Sequence, residues 1–308
     1  MANLTLKQLR YFQALAQHGH FGRAAETCAI SQPALSVQIR DLERALGTTL
    51  FERGARQVRL TGFGETLLGR VGDILRSVDD LGDLARADRD GLAGPLRVGV
   101  IPTVAPYLLP RIIGELTRVH PGLEINIRES VTPKLLRELD AGRLDTAIVA
   151  LPLSEPTLTE VALFSEDFVL IRPGADAGKP VPDRESLREM RLLLLEEGHC
   201  FRDQALAFCN LQPAPRELMD ASSLSTLVQM VGAGIGVTLI PEMALGVELR
   251  SADVSVSRFR DPVPQRTIGM AWRKASPLAP RLGQIADVVR ATAVAMRVTG
   301  AQEYAPGR

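Results

Sequence analysis

The chain has 308 residues, enough for two or three domains. Hydrophobic residues make up 45% and charged residues 23%, a soluble globular balance that excludes long disorder, collagen-like repeats and a disulfide-stapled mini-protein. The net charge is zero, but residues 1–62 carry eight basic and four acidic side chains and the remainder is correspondingly acidic. A basic head of this kind points to nucleic acid as its partner.

In chain order, Leu9, Phe12 and Ala16 recur at helical spacing and predict a first helix ending at His18-Gly19-His20. Phe21 to Ala29 reads as a short second helix and Ile30-Ser31 as a turn. Ser31 is a good N-cap, and Pro33 fits the first turn of a third helix running from Gln32 to about Leu46, with Leu35, Ile39, Leu42 and Leu46 inward and Gly47 as the stop. Leu50 to Thr61 predicts a hairpin with Gly54 in its turn, a wing carrying Arg53 and Arg56. Two short helices, a tight turn, a third helix and a basic wing make a winged helix-turn-helix over residues 1–62. Gln32, Pro33, Ser36 and Gln38 are the expected DNA-facing residues of the third helix, with Arg53 and Arg56 beside phosphate.

Residues 63–90 change pattern. Leu67, Val71, Ile74, Val78, Leu81 and Ala85 form a heptad seam. A lone linker helix offers nothing against which to bury that stripe, so a second copy of the chain is the expected partner; packing on its own domain is the alternative. From residue 91 to 300, strands and helices alternate. Strands are expected at Pro95–Ile101, Leu123–Glu129, Asp145–Leu151, Phe168–Ile171, Leu192–Leu195, Gly234–Ile240 and Thr267–Trp272. The continuous apolar run at Asp145–Leu151 suits a strand buried on both faces of a parallel sheet. Helices are expected through Ile112 and Leu116, and from Ser222 or Ser223 through Met230. The whole is an α/β region, two lobes around a cleft, followed by a loose tail over 301–308. No run approaches the ~18 uninterrupted apolar residues of a membrane span. Met1–Lys7 does not lead a basic stretch into an apolar one, so the expected location is cytoplasmic, with no membrane partner.

The head resembles LysR-type transcriptional regulators in Leu9-Arg10-Tyr11-Phe12, Arg23-Ala24-Ala25, Ser31-Gln32-Pro33-Ala34-Leu35-Ser36, Leu50-Phe51-Glu52-Arg53 and Leu60-Thr61-Gly62-Phe63-Gly64. Gly94 to Gly99 resembles the start of that family's effector domain. The resemblance implies a two-lobed, periplasmic-binding-protein-like α/β effector domain, promoter DNA as ligand, RNA polymerase as partner, and a homodimer assembling into a dimer of dimers, a homotetramer. Gly198-His199-Cys200-Phe201-Arg202-Asp203-Gln204-Ala205 with Phe208-Cys209, Ile101 to Pro110 and Arg266 to Gly269 is similar to a peroxide-sensing branch of the family. By that resemblance Cys200 and Cys209 form a redox-active disulfide switch, and Thr103, Thr132, His199 and Arg266 surround a hydrogen peroxide pocket supported by Arg202 and Asp203. The same resemblance implies an activator of antioxidant genes with no cofactor or metal, reset by a glutaredoxin- or thioredoxin-type reductant.

The sensor segment has chemistry of its own. A thiolate attacks peroxide, and a neighbouring cation together with a helix starting near Arg202 would favour it at Cys200. Donors near the leaving oxygen would stabilise departing hydroxide. Nine residues of continuous helix separate cysteines by ~13.5 Å, whereas a disulfide needs Cα atoms within about 7 Å. Either the segment is not helical throughout, or oxidation breaks the helix. Phe208 and Leu211 suggest that Cys209 starts buried. Plainer readings stand beside these: Cys28 as a small core hydrophobe, Thr103, Ser222 and Ser223 as helix caps, and His199 with the two cysteines as a poor zinc set. The competing functions are a regulator of the same fold that binds a small organic anion in its cleft, and a thiol peroxidase, for which the DNA-binding head has no use.

Overall fold

A computed structural model describes residues 4–53, 58–87, 93–209, 220–250, 252–260 and 263–303; for Arg53, Ala87, Arg184, Cys209 and residues 297–303 it describes the backbone alone. The chain divides into two compact units, Met1–Ala85 and Arg86–Arg308.

In the first unit, α1 (Leu6–His18) opens on a capping box in which Thr5 Oγ1 accepts from Gln8 N at 3.2 Å and Gln8 Oε1 accepts from Thr5 N at 3.0 Å. The His20 ring caps α2 (Phe21–Thr27), accepting from Gly22 N at 3.0 Å. Ser31 caps α3 (Gln32–Leu46), accepting from Ala34 N at 3.3 Å, and Gly47, at φ 69°, closes it in the left-handed conformation. Leu9, Phe12, Leu15, Leu35, Ile39, Leu42 and Leu50 share one core. The hairpin follows as β1 (Phe51–Arg53) antiparallel to β2 (Val58–Leu60); its tip, with Gly54 and Arg56, lies outside the described residues. Three capped helices and a two-stranded wing are therefore the observed head.

The seam lies on α4 (Gly62–Ala87), and only part of it lacks a partner within the chain. Val71 is buried in the core of the first unit together with Leu75, and Leu67 packs against that core. The expectation that the whole stripe needs a second copy is corrected here, because the helix begins on the head and its first turns cover the head's own apolar face. Ile74 and Leu81 remain exposed, joined by Leu84.

The second unit begins with β3 (Gly94–Val100), α5 (Ala105–Val119), β4 (Leu123–Glu129), α6 (Thr132–Asp140) and β5 (Thr146–Leu151). Then come β6 (Leu158–Pro173), α7 (Arg184–Glu189), β7 (Leu194–Leu195), α8 (Cys200–Cys209), β8 (Asp220–Ala221) and α9 (Leu224–Gly232). The described chain closes with β9 (Thr238–Pro241), α10 (Leu245–Glu248), β10 (Val254–Arg258), β11 (Gln265–Arg273) and α11 (Ala279–Glu303). Ser223 caps α9, accepting from Thr226 N at 3.2 Å. The first lobe is the sheet β4-β3-β5-β11-β6 with its helices. β3 runs parallel to β4 and β5, but β11 returns antiparallel to both β5 and β6. The sheet beside β5 is thus mixed rather than parallel, because β11 re-enters from the second lobe against the direction of β5.

β6 belongs to both lobes. Its first part pairs with β11 as far as Asp167, and from Phe168 onward it pairs with β9 and β10. One core forms around Val100, Leu108, Leu135, Ile148 and Ile268, and another around Phe168, Leu193, Phe201, Leu227 and Leu239. The apolar run at Leu192–Leu195 yields only β7, with Leu192 bridging Val237, and the strand expected at Gly234–Ile240 shortens to β9. Residues 301–303, expected in the tail, are helical within α11; residues 304–308 lie outside the described residues. No helix among the described residues is long and apolar enough to cross a membrane.

Candidate functional site

Cys200 is the first residue of α8, two positions before the expected helix start. Backbone N–H groups in a first helical turn have no partner within the helix. Gly198, at φ +92°, turns the chain into the helix and lies against Val131, the residue that precedes α6. Cys200 is half-buried and packs on the core of the first lobe, whereas the next residue, Phe201, is buried in the core of the second. Cys200 therefore stands where the lobes meet. Of the two expected helical alternatives, the continuous helix is the one present: α8 runs unbroken from Cys200 to Cys209.

His199 is 8% exposed, and burial holds its imidazole below the usual value of 6.5, partly opposed by Glu196. Arg202 is also buried, and its Nη1 donates to Asp220 Oδ1 at 2.6 Å and to the Leu195 carbonyl at 2.8 Å. Arg202 therefore pairs with Asp220 and ties the start of α8 to β7 and β8. Asp203 is exposed.

Thr103 sits in the turn between β3 and α5, where it does not cap the helix; Val104 holds the N-cap position. Arg266, on β11, donates from Nη1 to Thr103 Oγ1 at 2.7 Å and from Nη2 to the Thr103 carbonyl at 3.0 Å. A hydroxyl that accepts there still carries one O–H to donate elsewhere. Arg266 Nε donates to Glu166 Oε1 at 2.8 Å, and Glu166 Oε2 accepts from Met243 N at 3.2 Å. Thr103, Glu166 and Arg266 are each 2% exposed. Thr132, at the start of α6, has a buried Oγ1 with no hydrogen-bond partner among the described residues.

Neighbouring contacts link some of these segments. The Arg266 guanidinium lies 5.9 Å from the centroid of Phe168, whose ring meets Phe201 edge-on at 5.1 Å. Gly198, two residues before Cys200, rests on Val131 beside Thr132. Thr103 and Arg266 are thus joined directly, and Thr132 and His199 each follow a residue of the Val131–Gly198 approach. Cys209 ends α8, and its neighbour Phe208 packs on Phe259 at 5.0 Å.

Sequence reasoning missed three acidic partners. Glu166 alternates with Phe164 and Phe168 along β6, and period two alone places it on their inward face. Glu248 on α10 is buried and accepts from Tyr107 Oη at 2.7 Å and Ser225 Oγ at 2.9 Å. Burial and this carboxylate both push the Tyr107 phenol upward, so it stays protonated. Asp220 lies 18 positions after Arg202, and no local pattern links them. On the head, Gln32 and Pro33 are exposed and Ser36 and Gln38 half-buried, all on α3.

Comparison with known proteins agrees with this architecture. The description "Bacterial regulatory helix-turn-helix protein, lysR family" matches residues 6–65, and "LysR substrate binding domain" matches residues 89–294. The chain belongs to the LysR family of transcriptional regulators. Within it the chain falls among the OxyR-type hydrogen peroxide-inducible activators. It is 44% identical over 292 residues to a probable hydrogen peroxide-inducible genes activator of Streptomyces viridosporus, covering 93% of each chain. It is 42% identical over 293 residues to the transcriptional dual regulator OxyR of Escherichia coli, covering 94% of this chain and 95% of that one. Among solved structures, a full-length OxyR variant from Pseudomonas aeruginosa is 40% identical, with a TM-score of 0.73, covering 94% of this chain and 95% of that one. A peroxide-bound OxyR mutant from Corynebacterium glutamicum is 35% identical, with a TM-score of 0.67, covering 97% of this chain and 95% of that one.

Proposed function

We propose that this chain is a DNA-binding transcription regulator switched by hydrogen peroxide through Cys200 and Cys209. The observation that carries the reading is Cys200 at the head of α8, half-buried against the first lobe, in the same unit as the buried Thr103–Arg266 pair and the unpartnered Thr132 hydroxyl; in this reading Thr103, Thr132, His199 and Arg266 line the peroxide pocket. The Cys200 thiolate attacks one peroxide oxygen; an S–O bond forms, the O–O bond breaks and hydroxide leaves, taking a proton to become water. Sulfur is oxidised and peroxide reduced. Thr103 and Thr132 supply hydroxyl donors for the two oxygens, and His199, whose burial disfavours its charged form, supplies a hydrogen bond. The Cys209 thiol then attacks the sulfenic sulfur; an S–S bond forms and water departs. A dithiol reductant of the glutaredoxin or thioredoxin class restores both thiols, so the chain acts as a slow sensor rather than a turnover peroxidase.

The disulfide cannot form on intact α8, because nine helical steps span ~13.5 Å and the bond needs Cα atoms within about 7 Å. Oxidation therefore rebuilds the segment between the lobes, and this is the switch element. On the DNA side, Gln32, Pro33, Ser36 and Gln38 meet the major groove, and Arg53 and Arg56 meet phosphate. The exposed residues of α4 pair two chains, dimers pair into a tetramer, and RNA polymerase is recruited at promoters of antioxidant genes in the cytoplasm.

The test is a thiol count before and after stoichiometric peroxide, with peptide mass spectrometry. Loss of two thiols and an intramolecular 200–209 peptide is the expected result. Retention of all thiols would remove this reading in favour of a regulator that binds an organic anion between the lobes.

A further inference from the structure

The peroxide reading gives a role to Thr103 and places Arg266 beside it, but gives none to the buried carboxylate behind them. Glu166 lies on β6 where that strand passes from one lobe to the other, one pair before the end of its ladder with β11. Its two oxygens have different partners. Oε1 takes Arg266 Nε at 2.8 Å and also lies 2.8 Å from Nη2, and Oε2 takes the backbone N–H of Met243, in the turn after β9, at 3.2 Å. Arg266 is a planar fork whose donors are fixed relative to one another. Once Nε is held by Glu166, Nη1 and Nη2 can point only where the plane allows, and they meet the Thr103 hydroxyl and carbonyl oxygens at 2.7 and 3.0 Å. A hydroxyl whose oxygen lone pair is engaged by Arg266 cannot turn its proton back toward that cation, so the O–H points elsewhere.

We infer that Glu166 is a positioning residue for peroxide reduction: through Arg266 it sets the direction of the Thr103 O–H toward the oxygen that leaves as hydroxide. The inference rests on the proposed peroxide function and deepens it. In the step itself the Cys200 sulfur gains an oxygen, the O–O bond breaks, and the departing hydroxide is met by the Thr103 proton donor. Glu166 touches none of the reacting atoms. Its carboxylate also cancels the Arg266 charge, so the pocket presents an oriented dipole at Thr103 rather than a loose cation. A misdirected donor does not stabilise charge that develops in the transition state, and loss of one such donor in other enzymes lowers rates by roughly 100–1,000-fold. Misdirection short of loss should cost roughly tenfold or more on the same scale.

The experiment measures two reactions of Cys200 in the full-length reduced protein, for wild type, Glu166→Gln and Glu166→Asp. One is the second-order rate of Cys200 oxidation by peroxide. The other is the rate of Cys200 alkylation by iodoacetamide, followed on its own peptide by mass spectrometry. Alkylation needs the thiolate and access but no donor for departing hydroxide. The expected result is a peroxide rate at least about tenfold lower in Glu166→Gln, alkylation not slowed, and partial recovery of the peroxide rate in Glu166→Asp, which keeps the charge. An unchanged peroxide rate in Glu166→Gln overturns the inference. Peroxide and alkylation rates that change together also overturn it, because they report altered packing around Cys200. If Glu166→Gln does not fold, Arg266→Lys, which retains the charge but not the fork, replaces it with the same expected split between the two rates. If wild-type Cys200 itself does not react with stoichiometric peroxide, the functional reading fails first, and the two failures are thereby told apart.

Discussion

Truncating Phe208 to alanine should speed disulfide formation without touching the first oxidation. α8 is held to the second lobe by Phe201, Ala205, Leu206 and Phe208, and the Phe208 ring packs on Phe259 at 5.0 Å. Phe201 is fully buried, whereas Phe208 is only partly so, which makes the C-terminal end of the helix its weaker anchor. Removing a fully buried phenylalanine ring costs ~3–5 kcal/mol, and half-burial reduces this to about 2 kcal/mol. At 1.4 kcal/mol per factor of ten, release of that end becomes up to ~30-fold more populated. If resolution must wait for α8 to open, the sulfenate should convert to disulfide up to ~30 times faster. Rapid quenching with a sulfenate-trapping diketone separates the two steps: loss of the Cys200 thiol should match wild type, and the lifetime of the trapped species should shorten. An unchanged sulfenate lifetime in a folded Phe208→Ala protein would refute the argument that helix opening limits the switch.

Other expectations use the same geometry. Cys200→Ser should abolish peroxide-driven thiol loss, whereas Cys209→Ser should still lose its Cys200 thiol and then stop at sulfenate or over-oxidise; equally slow first steps in the two variants would reverse the assignment. Ile74→Asp should break the dimer in sedimentation velocity while leaving the head folded, because Ile74 is exposed within the chain. Val71→Ala, by contrast, should destabilise the head by about 1–2 kcal/mol at unchanged oligomeric size, since Val71 is 1% exposed. Tyr107→Phe leaves buried Glu248 with Ser225 alone of its two hydroxyl donors. It should cost roughly 1.5–3 kcal/mol in urea unfolding of the second unit, and an unshifted midpoint would contradict a structural role for this bond. His199 has a depressed folded pKa, so its contribution is fully present above the ordinary value of 6.5 and is lost as pH falls through the folded value. Wild type should therefore lose more stability on acidification below 6.5 than His199→Asn, as read by thermal melts across that range.

Local chemistry alone determined the head and the order of most elements. Capping residues at Thr5 and Ser31, Pro33 in a first turn, Gly19 and Gly47 at helix ends, and apolar spacing at 3–4 residues all act within a few positions, so they are legible in one dimension. The candidate redox segment was legible through its resemblance to the family, since His199, Cys200 and Cys209 lie within eleven consecutive residues, whereas their spacing alone left plain core cysteines and a poor zinc set open. Tertiary structure decided what depends on distant partners. Whether a seam residue of α4 faces the head or solvent depends on where the helix crosses the head's core, so Val71 is buried and Ile74 is not. The antiparallel return of β11 depends on a chain that has first crossed into the second lobe. The partner of buried Arg202 is Asp220, 18 positions further on. The fork that joins Glu166, Arg266 and Thr103 spans 163 positions of sequence between Arg266 and Thr103, and exists because β6, β11 and the turn before α5 meet between the lobes. Short-range periodicity specifies which face of an element is apolar, but the partner of a buried charge is set by packing across the fold.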